Sequence, residues 1–140
     1  MSTDQIHCVA APLPIRKPRR VLIVDDHVPT LAAVTSLLER EYPRIEVIGA
    51  ASNGDAALRL VREAQPDVVV LDLDLGNEYG LDLMPAIGGC QGAAVVILTS
   101  SDDPLERTRA LAAGAAAFVS KLSPAVELIA AILAARRGSP

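Results

Sequence analysis

Short runs of branched apolar residues, each stopping on a polar residue, recur along this chain and constrain its fold more than any other feature. They are Val21-Leu22-Ile23-Val24 before Asp25-Asp26, Val68-Val69-Val70-Leu71 before Asp72, Val95-Val96-Ile97-Leu98 before Thr99, and Phe118-Val119-Ser120 before Lys121. Uninterrupted Val/Ile/Leu runs of this length are the pattern of strands buried on both faces, as in a parallel sheet. Strand patterns fall near 20–25, 45–50, 67–72, 94–99 and 115–120.

Helical spacing fills the intervals. Leu31, Val34 and Leu38 share one helix face, with Pro29 near the start. Ala57, Leu60, Val61 and Ala64 form the next face, ended by Pro66. Leu81, Met84 and Ile87 mark a third helix that Gly88-Gly89 is expected to close. Asp103-Pro104-Leu105-Glu106 opens a fourth with an N-cap, a first-turn proline and a carboxylate in capping-box spacing, and Gly114 is placed to stop it. Ser123-Pro124 starts a fifth, with Val126, Ile129 and Leu133 on one side. Strands alternating with helices predict an α/β (βα)5 chain, a doubly wound five-stranded parallel sheet with helices on both faces. A chain of 140 residues makes one such domain.

Residues 1–18 read as a flexible N-terminal arm, 19–137 as the folded domain and 138–140 as a tail. The basic cluster Arg16-Lys17-Pro18-Arg19-Arg20 is read as a solvated lead-in to the first strand. A net charge of -4 argues against a nucleic-acid surface across the whole domain. Cys8 and Cys90 have no metal-ligand spacing and are expected to be reduced thiols. No stretch approaches the roughly 20 apolar residues of a membrane span. The start of the chain is broken by Pro12 and Pro14 and is a poor export signal. The expectation is a cytoplasmic protein with no membrane partner.

In an open parallel sheet, ligands collect at the carboxyl ends of the strands. Asp25, Asp26, Asp72, Thr99 and Lys121 are therefore expected in one pocket. Clustered carboxylates repel, and a hard cation such as Mg2+ relieves that repulsion through oxygen ligands. Asp26 and Asp72 are the expected direct ligands, Asp25 acts through water, and the backbone carbonyl of Asp74 completes the set. A carboxylate at 72 is also a competent nucleophile toward phosphorus. Lys121 would then neutralise the transferred phosphoryl oxygens and Thr99 would donate to one of them. Singly, each residue has a plain structural alternative, such as Asp25-Asp26 capping the next helix. Four consecutive strand ends, each with suitable chemistry, make the joint coincidence improbable.

Taken together, Val24-Asp25-Asp26-His27, Pro66-Asp67-Val68-Val69-Val70-Leu71-Asp72, Leu98-Thr99-Ser100 and Phe118-Val119-Ser120-Lys121 resemble the receiver domain of bacterial two-component response regulators. The likeness covers about residues 20–136. Val47 to Ala57 and the Asp-Asp-His triplet resemble its NarL/LuxR-type branch. The resemblance implies a flavodoxin-like receiver fold in which Asp72 is the phosphoacceptor, Asp25 and Asp26 hold Mg2+, Thr99 is the switch hydroxyl, Lys121 bridges to the phosphoryl group and Phe118 is the aromatic switch residue. It implies a signalling domain in a phosphorelay rather than an enzyme acting on other substrates. Its phosphodonor would be a sensor histidine kinase or phosphotransfer protein. Phosphorylation is expected to promote a homodimer. DNA would be reached only through an output domain outside this chain, as in transcription regulation; otherwise the receiver stands alone.

Departures from the family pattern are local. Gly76 stands where relatives often carry proline, so the loop 75–80 is expected to be looser. Leu122 follows Lys121 in place of a common proline, and Phe118 lacks a tyrosine hydroxyl. The main alternative is a haloacid-dehalogenase-like phosphotransferase using Asp72-Leu73-Asp74 as an Asp-x-Asp motif. That motif belongs at the end of a first strand with a threonine two residues on, whereas Gly76 stands here. A dinucleotide-binding module would need a glycine-rich turn where Asp25-Asp26-His27 stands.

Overall fold

A computed structural model describes residues 17–136. Cys8, nearly all of the expected arm and the tail lie outside the described residues. The elements are β1 (Arg19–Val24), α1 (Val28–Glu39), β2 (Ile45–Ala51), α2 (Gly54–Ala64), β3 (Val68–Leu71), α3 (Met84–Gln91), β4 (Ala94–Thr99), α4 (Pro104–Ala112), β5 (Ala117–Ser120) and α5 (Ala125–Ala134). Between β3 and α3, Asp74–Leu75 pairs with Glu78–Tyr79 as a small antiparallel hairpin, and a 3-10 turn follows over Gly80–Leu83.

The five long strands form one parallel sheet in the order β2-β1-β3-β4-β5. Chain order reverses beside β1, so a crevice opens between the carboxyl ends of β1 and β3. β3 and β4 are buried along their whole length, which explains their continuous apolar runs. The edge strands β2 and β5 are more exposed and more mixed.

Alternation along the strands supplies two cores. Leu22, Val24, Val69, Leu71, Val95 and Ile97 face Ala57 and Val61 of α2, Met84 and Ile87 of α3 and Ala110 of α4. Val21, Ile23, Val68, Val70, Val96 and Leu98 face Leu38 of α1 and Leu128 and Ile132 of α5. Each fully buried Leu or Ile contributes roughly 1.5–3 kcal/mol. No helix among the described residues is long and apolar enough to cross a membrane.

The helix ends correct several expectations. His27, not an aspartate, caps α1, its Nδ1 accepting the Thr30 N–H at 3.3 Å. α3 runs through Gly88-Gly89 and stops at Gly92, which adopts φ 69°. A left-handed residue ends a helix, and the two earlier glycines stay helical. Asp103 caps α4 as expected, accepting the Leu105 N–H at 2.9 Å. The reciprocal half of the capping box is filled differently: the Asp103 N–H donates to Ser101 Oγ at 3.3 Å, leaving Glu106 to another partner. Gly114 follows the end of α4 at φ 105°. α5 starts directly after Ser123-Pro124, as expected, with Pro124 at the N-cap.

Arg19 and Arg20 lie within β1 rather than in a solvated lead-in. Arg19 Nη2 donates to the Leu133 carbonyl at 3.1 Å and Arg20 Nη1 to the Gln65 carbonyl at 2.8 Å. Both guanidiniums therefore satisfy carbonyls at helix C-termini, where positive charge is favoured.

Candidate functional site: a carboxylate pocket at the strand ends

The strand ladder continues one residue past β1 and β3. The Asp25 N–H donates to the Ala51 carbonyl and the Asp72 N–H to the Val24 carbonyl, both at 3.0 Å. These bonds hold the two aspartates at the mouth of the crevice, with Asp25 4% and Asp72 6% exposed. Asp26 is exposed at its rim. Ligand oxygens of Asp25, Asp26 and Asp72 all lie within 4.8 Å of one another. Oxygen-only, carboxylate-rich donor sets suit a hard divalent cation, so these residues fit Mg2+ or Ca2+.

Lys121 follows β5 and reaches across to this cluster. Its Nζ lies 2.7 Å from Asp25 Oδ2 and 2.8 Å from Asp72 Oδ2. The Lys121 N–H donates to the Thr99 carbonyl at 2.8 Å, which ties the ends of β4 and β5 together. Burial lowers the ammonium's proton affinity, but its bonds to Asp25 and Asp72 outweigh burial and raise the Lys121 pKa. At Asp72 burial dominates and raises the carboxyl pKa, against the opposing pull of Lys121 and of the Asp74 N–H. Lys121 and the Asp74 N–H thus oppose, without overcoming, the effect of burial on the Asp72 carboxyl group.

The remaining oxygens are ordered by backbone donors. Asp25 Oδ1 accepts the His27 N–H at 2.9 Å, and Asp72 Oδ1 accepts the Asp74 N–H at 3.2 Å. Thr99 is 2% exposed, and its Oγ1 accepts the Ser101 N–H at 3.3 Å. The side chain of Asp74 is exposed and caps its own turn, accepting the Gly76 N–H at 3.1 Å. Phe118 sits apart from the carboxylates, packed against the core on the α4 side of the sheet. Arg107 of α4 lies over its ring, 5.7 Å from the centroid, and donates to the Phe118 carbonyl at 3.2 Å.

The loop 75–80, expected to be looser, forms the turn and return strand of a short hairpin. Gly76 adopts φ 76°, a value that the ring of proline forbids. The pairing of Leu75 with Glu78 leaves Gly76-Asn77 as a two-residue turn with glycine first. That dipeptide was the available sequence signal. The chain then returns over Asp72: the Gly80 N–H donates to the Leu73 carbonyl at 2.6 Å, and a Cβ at position 80 would stand 2.2 Å from the Asp72 carbonyl oxygen. Two consecutive hairpin residues make contacts that sequence reasoning missed. Glu78 Oε1 accepts the Gly54 N–H at 2.8 Å, and the Tyr79 hydroxyl donates to Glu106 Oε2 at 3.3 Å.

Known proteins are similar to this chain in sequence and in fold. The family model for the response regulator receiver domain matches residues 21–133. Transcriptional regulatory protein LiaR of Bacillus subtilis (strain 168) is 36% identical over 124 residues, covering 86% of this chain and 57% of that protein. The signal receiver domain of NarL from Mycobacterium tuberculosis has a TM-score of 0.77 at 30% identity, covering 84% of this chain and 95% of that one. A response regulator from Burkholderia pseudomallei, solved with a phosphorylated aspartic acid, calcium ion and citrate, has a TM-score of 0.74 at 27% identity, covering 81% of this chain and 66% of that one. The chain spans 57% of the length of LiaR and 24% to 57% of the length of seven other curated relatives. The haloacid-dehalogenase-like alternative is not supported: Asp72 follows the third strand, at the centre of the sheet, and the family and fold matches are to receiver domains.

Proposed function

This chain belongs to the response regulator receiver domain family, in its NarL/LuxR-like branch, and from that premise we propose that Asp72 accepts a phosphoryl group in a Mg2+-dependent reaction. The observation that carries the reading is the buried Asp72 carboxylate, held by Lys121 Nζ at 2.8 Å inside a three-carboxylate cluster. An Asp72 oxygen attacks phosphorus, forming a P–O bond, while the donor's bond to phosphorus breaks and the donor leaves with that electron pair. Asp25, Asp26, Asp72 and the Asp74 backbone carbonyl would hold Mg2+, which when bound neutralises charge on the phosphoryl oxygens. Lys121 stabilises the same oxygens from the β5 side, and the Thr99 hydroxyl turns to donate to one of them.

The donor class is a sensor histidine kinase or a phosphotransfer protein, and the setting is the cytoplasm. The domain acts as a switch rather than as an enzyme on other substrates. Its product is its own phosphorylated form, read out by a homodimer or by an output domain that reaches DNA.

The test is intact-mass spectrometry after incubation with Mg2+ and a small acyl phosphate. One added phosphoryl group is expected in the wild type and none in Asp72→Asn. Equal labelling of that variant overturns the assignment.

A further inference from the structure

The hairpin between β3 and the 3-10 turn touches two residues of the carboxylate pocket, Asp26 and Asp72. A Cβ at Gly76 would stand 3.1 Å from Asp26 Oδ2, so the hairpin tip lies against that carboxylate. The Asp74 N–H holds Asp72 Oδ1, and Gly80 seats the returning strand on the Asp72 backbone. A two-stranded hairpin of this size is not stable alone. Its orientation must come from contacts with the rest of the domain, some made by its backbone and some by its side chains.

Glu78 makes such a contact. Its Oε1 accepts the Gly54 N–H, the first backbone donor of α2, which has no partner within its own helix. Gly54 is shaped to this approach: a Cβ there would stand 2.3 Å from Glu78 Oε2 and 3.1 Å from its Cδ. A carboxylate at a helix N-terminus is also favoured by the helix dipole. Two separated positions, one without a side chain and one with a long acidic one, therefore build a single contact.

The geometry points to Glu78 as a positioning residue for the metal pocket: by anchoring the hairpin to the start of α2 it holds Asp74 and the Gly76 tip in register with Asp26 and Asp72. This rests on the reading of those residues as a Mg2+ site and adds to it a residue that does not itself touch the ion. Groups that hold metal ligands in place commonly matter about tenfold or more to affinity.

Calorimetric Mg2+ titration of the folded protein tests the assignment. Glu78→Ala should weaken Mg2+ binding about tenfold. Glu78→Gln should stay within about twofold of wild type, because its carbonyl oxygen still accepts the Gly54 N–H and one screened surface charge contributes little. Gly54→Ala should lose at least as much as Glu78→Ala, since the added methyl displaces the Glu78 carboxylate and also presses on Leu83 Cδ2, 3.1 Å away. Amide exchange supplies a second readout: Gly54 should lose protection in Glu78→Ala and keep it in Glu78→Gln. If Glu78→Gln falls as far as Glu78→Ala, the effect is charge alone and the positioning role is overturned; unchanged affinity in Glu78→Ala overturns it as well. Asp26→Asn separates the two levels. Unchanged Mg2+ affinity in that variant sinks the metal-site reading itself, whereas a loss there with none in Glu78→Ala sinks only the role of Glu78.

Discussion

The Tyr79 hydroxyl donates to Glu106 Oε2 at 3.3 Å, joining the hairpin beside the carboxylate pocket to the first turn of α4. One residue further along α4, Arg107 lies over Phe118. The ring of Tyr79 packs against the same core cluster as Phe118. The hairpin, α4 and β5 are therefore physically contiguous, a condition for coupling between the pocket and the distal surface.

Burial, then the neighbouring Glu106 charge and the hydrogen bond to it, raise the Tyr79 pKa above the ordinary tyrosine value. The folded state thus holds the phenol proton more tightly than the unfolded state. The associated stability is fully present below the ordinary tyrosine pKa and is lost as pH rises through the raised folded value. In a Tyr42→Phe background Tyr79 is the sole phenol. Its absorbance titration should lie above the ordinary range, and Glu106→Gln should bring it down. An unchanged midpoint in the double variant would remove Glu106 as a cause.

Lys121 is the cation shared by Asp25 and Asp72. Lys121→Ala leaves two buried carboxylates facing each other without it. In chelator the variant should lose on the order of 2 kcal/mol, less than for a fully buried pair because the ammonium is partly exposed. Mg2+ should restore much of that loss by neutralising the same carboxylates. Denaturant unfolding with and without Mg2+ reads both effects. The raised Lys121 pKa places this contribution below the ordinary lysine range, and it fades as pH rises through the folded value.

Asp26 stands within the carboxylate cluster, but the ion pairs of Lys121 go to its two neighbours. Asp26→Asn is expected to raise the melting temperature of the metal-free protein and to weaken Mg2+ binding, because it removes like-charge repulsion and a ligand together. Thermal melts in chelator decide the first half. A variant that melts well below wild type there shows that repulsion is not the dominant effect.

A phosphoryl mimic should move α4 and β5 as well as the pocket. Thr99 ends β4, which feeds α4, and the Phe118 ring lies between the core and Arg107. A Thr99 hydroxyl drawn toward a phosphoryl group changes the space available to that ring, and the differential interaction is what shifts the equilibrium. NMR spectra with beryllofluoride and Mg2+ should show changes at Phe118 and across 104–112. Changes confined to the surroundings of Asp72 would refute the coupling.

The strands and the carboxylate cluster were legible in the sequence because their signals are local. A strand buried on both faces has to be apolar along its length, as Val68–Leu71 and Ala94–Thr99 nearly are. A polar residue at its end then has to sit at the sheet's carboxyl edge. Helix ends were less legible. Gly88, Gly89 and Gly92 are equivalent as letters, and only the path of the backbone decides which one turns left-handed.

Local patterns of residues set the alternation of β and α, the two-sided sheet, and the set of Asp25, Asp26, Asp72, Thr99 and Lys121 at strand ends. Those follow from periodicity and from the chirality of βαβ connections, which leave few topologies open. Tertiary structure alone decided that Lys121 bridges Asp25 and Asp72, that Glu78 meets Gly54, and that Tyr79 rather than the Asp103 N–H takes Glu106. These pairs join residues 24 to 96 positions apart or compete with a nearer partner. Their formation depends on ångström-scale placement of separate elements, which no local pattern of residues encodes.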